Sequence, residues 1–169
     1  YGEDPLLTSK IGIAFVKGLQ GNDPNYLKSA ACAKHFAVHS GPESMRHHFN
    51  AEPTQQDLYE TYMPAFEALV VDAKVEGVMT AYNAVYGVPS GASKFLIQDI
   101  LKDKWKVDGY ITSDCGAVSG IFNKMKYVKS AEEAASVALE AGMNLNCGNT
   151  FKFLKKAVET GLISEELIH

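Results

Sequence analysis

The chain has 169 residues, of which 46% are hydrophobic and 21% are charged, a balance typical of one globular domain with an apolar core. Its formal net charge is -4 and no cluster of Lys and Arg stands out, which argues against nucleic acid as a partner. No apolar run approaches the roughly 20 residues that span a bilayer, so we expect no membrane partner either.

Helical and extended patterns alternate along the chain. Apolar residues at helical spacing, such as Ile11, Phe15 and Leu19, predict helices at 8–19, 55–72, 93–104, 131–141 and 151–160. Short apolar runs predict strands at 30–38, 77–82, 109–113 and 143–145. The polar segment 39–53, which contains Gly and Pro, predicts a long loop, and Thr54 is placed to cap the helix after it.

This alternation of strands and helices predicts an α/β fold with parallel strands and helices outside them. A barrel and an open sheet are both compatible with the pattern. No Gly-rich nucleotide-binding loop is present, which weakens the case for a nucleotide-binding open sheet. We therefore predict a partial TIM-type (β/α) barrel that spans residues 1–169. The chain holds about four strand-helix units, whereas a full barrel needs eight and about 250 residues. Both termini look like cuts through a longer sequence, so we expect the chain to be part of a larger catalytic domain.

Polar side chains follow the predicted strands at their carboxyl ends, where parallel α/β folds place their functional residues. Lys34 and His35 end the first strand, Tyr82 the second and Asp114 the third. Together they offer donors, acceptors and an aromatic face, which suit a neutral ligand rich in hydroxyl groups. Asp114 stands out because glycoside cleavage needs carboxyl groups at the anomeric carbon. A cation such as Lys34 or Arg46 would help to keep it ionised.

Several structural alternatives remain open at this point. Asp114 is also suited to cap a following helix, and Lys34 and His35 could form a salt-bridged pair at a strand end. His35 and His39 have the spacing of a helical metal pair but lie on a strand and its loop, so we expect no metal. Cys115 and Cys147 could form a disulfide or a ligand pair, but buried free thiols are favoured. From the residues alone, the reaction stays undetermined.

Five motifs in order resemble glycoside hydrolase family 3. They are Ala33-Lys34-His35-Phe36-Ala37 followed by Arg46; the helix from Asp57-Leu58 to Pro64-Ala65-Phe66; Val78-Met79-Thr80-Ala81-Tyr82-Asn83; Asp108-Gly109-Tyr110-Ile111-Thr112-Ser113-Asp114; and Ala141-Gly142-Met143-Asn144-Leu145-Asn146. The opening Gly2-Glu3-Asp4-Pro5 fits as well, so the resemblance covers nearly the whole chain.

The resemblance implies a retaining β-glycosidase domain without metal or organic cofactor. Asp114 would be the nucleophile that forms the glycosyl-enzyme intermediate. Lys34, His35 and Arg46 would hold sugar hydroxyls, and Tyr82 would lie beside the reaction centre. The partners implied are an oligosaccharide or glycoside substrate and the remaining barrel and C-terminal domains of a parent enzyme. A periplasmic or secreted location is expected from the family.

Two departures from the family pattern matter. No residue here matches the general acid/base, so the chain by itself is expected to be inactive, and Glu43 is expected only to contact substrate. Cys115 stands where many β-glucosidases of the family have Trp. A Cys at this position removes a stacking surface from the pocket wall. Together with Ser40-Gly41-Pro42-Glu43 and Arg46-His47-His48-Phe49-Asn50, this resembles the β-xylosidase and α-arabinofuranosidase branch. We favour β-xylosidase, with β-glucosidase and a non-catalytic sugar-binding relative as alternatives.

Overall fold

A computed structural model describes residues 1–168 of the chain, which fold into helices packed against a short parallel sheet. The helices are α1 (Pro5–Gln20), α2 (Gln55–Asp57), α3 (Pro64–Val71), α4 (Ala117–Asn123), α5 (Ala131–Glu140) and α6 (Leu154–Glu159). The strands are β1 (Cys32–Phe36), β2 (Asn50–Ala51), β3 (Gly77–Thr80), β4 (Ala84–Val85), β5 (Val88–Pro89) and β6 (Tyr110–Ser113). Wider π-helical turns occupy Leu58–Tyr62 and Phe95–Lys104.

The main sheet places β1, β3 and β6 side by side in chain order, and all of its pairs are parallel. This confirms the α/β class and the strands predicted within 30–38, 77–82 and 109–113. The strand predicted at 143–145 is too long, because only Leu145 forms a bridge, to Thr112. The side chain of Asn144 explains the difference, since its Oδ1 accepts the N–H of Ile111 (2.6 Å) that a longer ladder would use.

Strand β1 contains an irregularity at the residues expected to bind sugar. Ala33 lies opposite Val78 and Phe36 opposite Thr80, so Lys34 and His35 together face a single residue of β3. Such a bulge changes the direction of the side chains that it carries, and bulges are common beside active sites. The bulge therefore changes how Lys34 and His35 are presented at the carboxyl edge of the sheet.

The helices follow the sequence pattern with local breaks. Helix α1 begins at Pro5 because Asp4 Oδ1 accepts the N–H groups of Leu6 (2.8 Å) and Leu7 (3.0 Å). The helix predicted at 55–72 begins at the expected Thr54 cap but is interrupted before Pro64, which lacks the N–H that a continuous helix needs. The helix predicted at 151–160 starts as a 3₁₀ turn and becomes regular in α6. The hairpin β4–β5, which pairs with β2, and helix α4 were not predicted.

The core lies between the sheet and the helices. Phe36, at the end of β1, contacts Phe66 and Trp105 edge-on at ring centroid distances of 5.1 and 5.7 Å. Other large side chains that are fully buried there are Leu58, Met63, Leu96, Ile97, Leu101 and Ile111. Each contributes about 1.5–3 kcal/mol through burial, so the strand ends that carry the polar residues are held on a rigid base.

One predicted face of α1 does not lie in this core. The helix packs on α3 with Gly12 against Leu69, and Val16 is buried, whereas Ile11, Phe15 and Leu19 are exposed. Helix α1 is therefore apolar on two sides and uses only one of them here. Within residues 1–168, none of the helices is long and apolar enough to cross a membrane.

Candidate active site

The predicted site residues come together at the carboxyl edge of the sheet. Strand β1 carries Lys34 and His35, Tyr82 follows β3 by two residues, and Asp114 directly follows β6. Because these strands are parallel neighbours, their carboxyl ends meet at one edge. Residues that are far apart in the sequence thus form one cluster.

Asp114 is held at both ends of its carboxylate. Its Oδ1 accepts the backbone N–H of Cys115 (2.7 Å), and its Oδ2 lies 3.3 Å from His35 Nε2, with 15% of the side chain exposed. The alternative that Asp114 caps a helix is wrong: Gly116, at a φ of 78°, occupies the cap of α4. The side chain of Asp114 is therefore directed to His35 and not to helix capping.

His35 is a neutral neighbour of that carboxylate. Burial lowers the pKa of His35 below its usual value of about 6.5, and the charges of Lys34 and Arg46 lower it further, while Asp114 opposes the shift. The ring is therefore uncharged at neutral pH. An uncharged imidazole can both donate and accept hydrogen bonds, which suits a sugar hydroxyl.

Tyr82 connects the second strand end to the segment after Asp114. Its hydroxyl donates to the carbonyl oxygen of Cys115 (2.8 Å), and the ring of His47 packs on it edge-on at 4.4 Å. Burial raises the pKa of Tyr82, and the nearby charge of Asp114 raises it further. Tyr82 thus stays a protonated donor beside the carboxylate.

Arg46 and Glu43 form a pair in the loop after β1. Glu43 Oε2 accepts from Arg46 Nε (3.1 Å) and Nη2 (2.8 Å), and the side chains are 42% and 79% exposed for Arg46 and Glu43. Such exposed pairs contribute little to stability, about 0–1 kcal/mol. The charge of Arg46 nevertheless lowers the pKa of both His35 and Tyr82, so it acts on the cluster. Glu43 contacts Arg46, and its contact with substrate stays a prediction.

The expectation of free thiols at Cys115 and Cys147 was wrong, because the two form a disulfide with a Cα–Cα distance of 4.4 Å. The bridge between Thr112 and Leu145 aligns the two chain segments and brings both cysteines within disulfide range. The N–H of Gly116 donates to the carbonyl of Cys147 (2.7 Å) and reinforces the same connection. Cys32 remains a thiol, and burial raises its pKa.

Sequence reasoning missed the residues that support this cluster. Ser113 is buried; its Oγ accepts the N–H of Cys147 (3.0 Å) and pairs with the amide of Asn146 (3.2 Å). Asn83 is buried beside His39, and His47 packs on Tyr82. All of them stand within the quoted motifs, but the sequence pattern did not assign them a supporting role. Within residues 1–168, no three His, Cys, Asp or Glu side chains converge on a possible metal site.

A separate groove lies away from this cluster, at the amino ends of the strands. It has a volume of about 860 Å³ and is lined by residues that include Gln20, Lys74 and Glu76. The Gln20 amide there donates to the carbonyl of Lys74 (2.9 Å) and accepts the N–H of Glu76 (2.8 Å), which ties α1 to the loop before β3. Because these contacts hold the fold together, we do not assign a functional site to this groove. We place the candidate site at the carboxyl edge of the sheet.

A carboxylate held at a strand end among hydrogen-bonding side chains is the arrangement expected of a glycoside hydrolase. Comparison with known proteins agrees. The family model described as the glycosyl hydrolase family 3 N-terminal domain matches residues 1–169, and the chain belongs to this family.

Individual relatives add detail. A xylan 1,4-beta-xylosidase of Xylanibacter ruminicola is 48% identical over 170 residues, which cover 98% of this chain and 20% of that protein. Among solved structures, a family 3 exo-beta-xylosidase in complex with a xylobiose aziridine probe has a TM-score of 0.94 at 38% identity, covering 99% of this chain and 23% of its own. A beta-glucosidase from Listeria innocua in complex with isofagomine has a TM-score of 0.87 at 36% identity, with coverages of 99% and 24%. The chain thus spans between a fifth and a quarter of these relatives.

Proposed function

We propose that this chain is the nucleophile-bearing part of a retaining, exo-acting β-glycosidase that releases a terminal sugar from plant-type oligosaccharides, with β-xylosidase as its main activity. The observation that carries the proposal is Asp114, a carboxylate on a rigid strand end, anchored by a backbone N–H and placed beside His35 and Tyr82. Family membership and the β-xylosidase relatives support the same assignment.

Asp114 carries out the covalent step. Its Oδ1 is held by the N–H of Cys115, so Oδ2 attacks the anomeric carbon as the bond to the leaving oxygen breaks. A carboxyl group from outside this chain protonates the leaving oxygen. Water, deprotonated by the same group, then attacks the anomeric carbon and frees Asp114. Two displacements at one centre retain the configuration of the sugar.

The surrounding side chains bind the sugar hydroxyls. Lys34 and Arg46 donate charged hydrogen bonds, and the uncharged ring of His35 can donate or accept. Tyr82 is kept protonated by its surroundings and donates a hydrogen bond close to the reacting carboxylate. No metal or organic cofactor takes part in the proposed reaction.

The choice of a pentose depends on the wall beside Asp114. Cys115 is joined to Cys147, so this wall is a compact covalent link and not an aromatic ring. A pentose lacks the exocyclic hydroxymethyl group of glucose, and a changed wall is expected where a pentose is preferred. A second candidate, β-glucosidase, is supported by the Listeria innocua structure at 36% identity.

The proposal includes further parts of a parent enzyme. The neighbouring strands β1, β3 and β6 run in chain order with helices between them, which is consistent with a sector of a (β/α) barrel. The relatives are four to five times as long as the segment matched, which leaves room for the rest of the barrel and C-terminal domains. We propose that the acid/base group comes from there, that the chain alone does not turn over substrate, and that the parent is periplasmic or secreted.

The test uses the full-length parent with 2-deoxy-2-fluoro xylosyl and glucosyl donors that carry good leaving groups, followed by mass spectrometric mapping of the labelled peptide. A label on Asp114 that forms faster with the xylosyl donor is the expected result. A faster glucosyl label would favour β-glucosidase instead. An Asp114→Asn variant serves as control and should stay unlabelled. A label on another carboxylate would refute the assignment of Asp114 as the nucleophile. A protein that binds sugar but shows neither label nor hydrolysis would refute the proposal that it is an enzyme.

A further inference from the structure

An exposed histidine that the proposed reaction does not use lies at the edge of the cluster. His39 follows β1 by three residues, and its ring centroid is 5.2 Å from that of His35 and 6.5 Å from that of Tyr82. His35 in turn contacts the Asp114 carboxylate at 3.3 Å. His39 is thus separated from the nucleophile by one side chain, and its own side chain is open to solvent.

A buried amide fixes the hydrogen-bonding state of this histidine. Asn83 is 1% exposed, and its Nδ2 donates to the carbonyl oxygens of Ala37 (3.1 Å) and Ala84 (3.2 Å). Because the amide nitrogen is used twice as a donor, the group facing His39 Nδ1 at 3.1 Å is the amide oxygen. Nδ1 of His39 must therefore carry a hydrogen.

The other ring nitrogen follows from this constraint. In the uncharged ring with hydrogen on Nδ1, Nε2 is an acceptor with a free lone pair. Nε2 lies across the ring from the atom bound to buried Asn83, and within residues 1–168 no protein hydrogen bond to it is formed. A fixed, exposed acceptor one side chain away from the nucleophile is what a sugar hydroxyl needs, since the buried partner orients it before substrate arrives.

The turn that carries His39 is itself constrained. Val38 is buried and adopts a left-handed φ of 55°, which is rare for a β-branched residue. The N–H of Ser40 closes the turn on the carbonyl of Val38 (3.0 Å). Strained conformations of this kind persist where the surroundings enforce them and are frequent at ligand sites. The turn returns the chain to the carboxyl edge at His39 instead of leading it away.

We propose that His39 is a substrate-binding residue whose Nε2 accepts a hydrogen bond from a sugar hydroxyl, in a tautomer enforced by Asn83. This inference rests on the proposed glycosidase function and extends it to a residue outside the family motif quoted above. A purely structural His39, which only shields Asn83, is the competing explanation.

The experiment combines enzyme variants with substrates that lack single hydroxyls. In the full-length parent, kcat/KM is measured for an aryl β-xyloside and its 2-, 3- and 4-deoxy analogues, with His39→Ala and the matched control His48→Ala from the neighbouring exposed loop. Loss of one hydrogen bond lowers kcat/KM roughly three- to tenfold. At one hydroxyl position, the deoxy penalty seen with the unmodified enzyme should disappear in His39→Ala, whereas His48→Ala should keep every penalty.

The outcomes separate this inference from the function on which it rests. Fluoro-sugar labelling of Asp114 in His39→Ala shows that the variant is folded. If that labelled variant keeps all the deoxy penalties of the unmodified enzyme, His39 does not bind a hydroxyl, and the glycosidase assignment stands. If the unmodified parent neither hydrolyses aryl glycosides nor takes up the label, the glycosidase function and the inference on His39 both fail.

Discussion

At the residue scale, the cluster places one carboxylate between an uncharged imidazole and a protonated phenol. Asp114 receives a backbone N–H on one oxygen and faces His35 with the other. His35 is neutral because burial lowers its pKa, and Tyr82 is neutral because burial raises its pKa. The carboxylate of Asp114 therefore has uncharged hydrogen-bonding groups on two sides, as the proposed nucleophile would need when a sugar is bound.

The lowered pKa of His35 has a consequence for stability. The unfolded chain binds a proton at His35 at higher pH than the folded chain, so stability is fully present above about pH 6.5 and falls as the pH drops toward the folded-state pKa. A His35→Gln variant lacks this titration and should lose less stability than the unmodified protein between pH 7 and pH 5. Urea midpoints of the two proteins at both pH values measure the difference. Equal losses would show that His35 ionises alike in both states.

The residue types of the site were predictable, but their local geometry was not. Asp114, His35 and Tyr82 lie at or just after the ends of apolar strands, and parallel pairing was enough to bring them together. The helix-cap alternative for Asp114 could not be settled from sequence, because Gly116 is also suited to that cap. The tautomer of His39 depends on Asn83, which is 44 residues away, so no local pattern carries it.

At the scale of elements, features that depend on local sequence were again predictable, and features that depend on distant partners were not. Helices α1 and α5 and strands β3 and β6 were predicted because their apolar periodicity is local. The bulge in β1 and the hairpin β4–β5 depend on pairing partners elsewhere in the chain, so the sequence pattern does not show them. The predicted strands at 109–113 and 143–145 allow Cys115 and Cys147 to lie near each other, but the sequence does not give the Cα–Cα distance of 4.4 Å on which the disulfide depends.

The turn into β6 depends on a glycine that approaches a neighbouring backbone. A Cβ at Gly109 would overlap the carbonyl oxygen of Glu76, which accepts the N–H of Tyr110 at 2.9 Å. Gly109→Ala should therefore lower the free energy of unfolding by more than about 2 kcal/mol, since backbone must move. Gly18→Ala is the matched control: it lies within α1 with open space around it and should stabilise by about 0.5–1 kcal/mol. Chemical denaturation measures both, and equal effects would contradict the close approach.

The disulfide joins the segment after β6 to the segment after Leu145. Cys115 and Cys147 are 32 residues apart, and closing a loop of that size in the unfolded chain corresponds to about 3–4 kcal/mol. A Cys115→Ala, Cys147→Ala double variant should lose stability of that order when compared in urea with the oxidised protein. Reductant should destabilise the unmodified protein and leave the double variant unchanged. A reductant-insensitive unmodified protein would show that the bridge is absent.

At the scale of the whole molecule, helix α1 presents an exposed apolar surface. Its residues Leu7, Ile11, Phe15 and Leu19 follow one another at intervals of four and are 49%, 38%, 59% and 37% exposed. Side chains at this spacing form a continuous stripe along a helix. A continuous exposed apolar stripe marks an interface, whereas scattered exposed apolar residues are ordinary. The chain covers 20% of its Xylanibacter ruminicola relative, so we expect a further part of the proposed parent enzyme to cover this stripe.

The stripe can be tested by one substitution in two settings. In the 169-residue chain produced by itself, Phe15→Glu should change the free energy of unfolding by no more than about 0.5 kcal/mol and raise solubility, because the site is already exposed. In the full-length parent, the same substitution would bury an unpaired carboxylate and should cost more than about 2 kcal/mol. Denaturation of both proteins decides the matter. If Phe15→Glu is harmless in both, the stripe faces solvent in the parent too, and α1 is not where the rest of the enzyme packs.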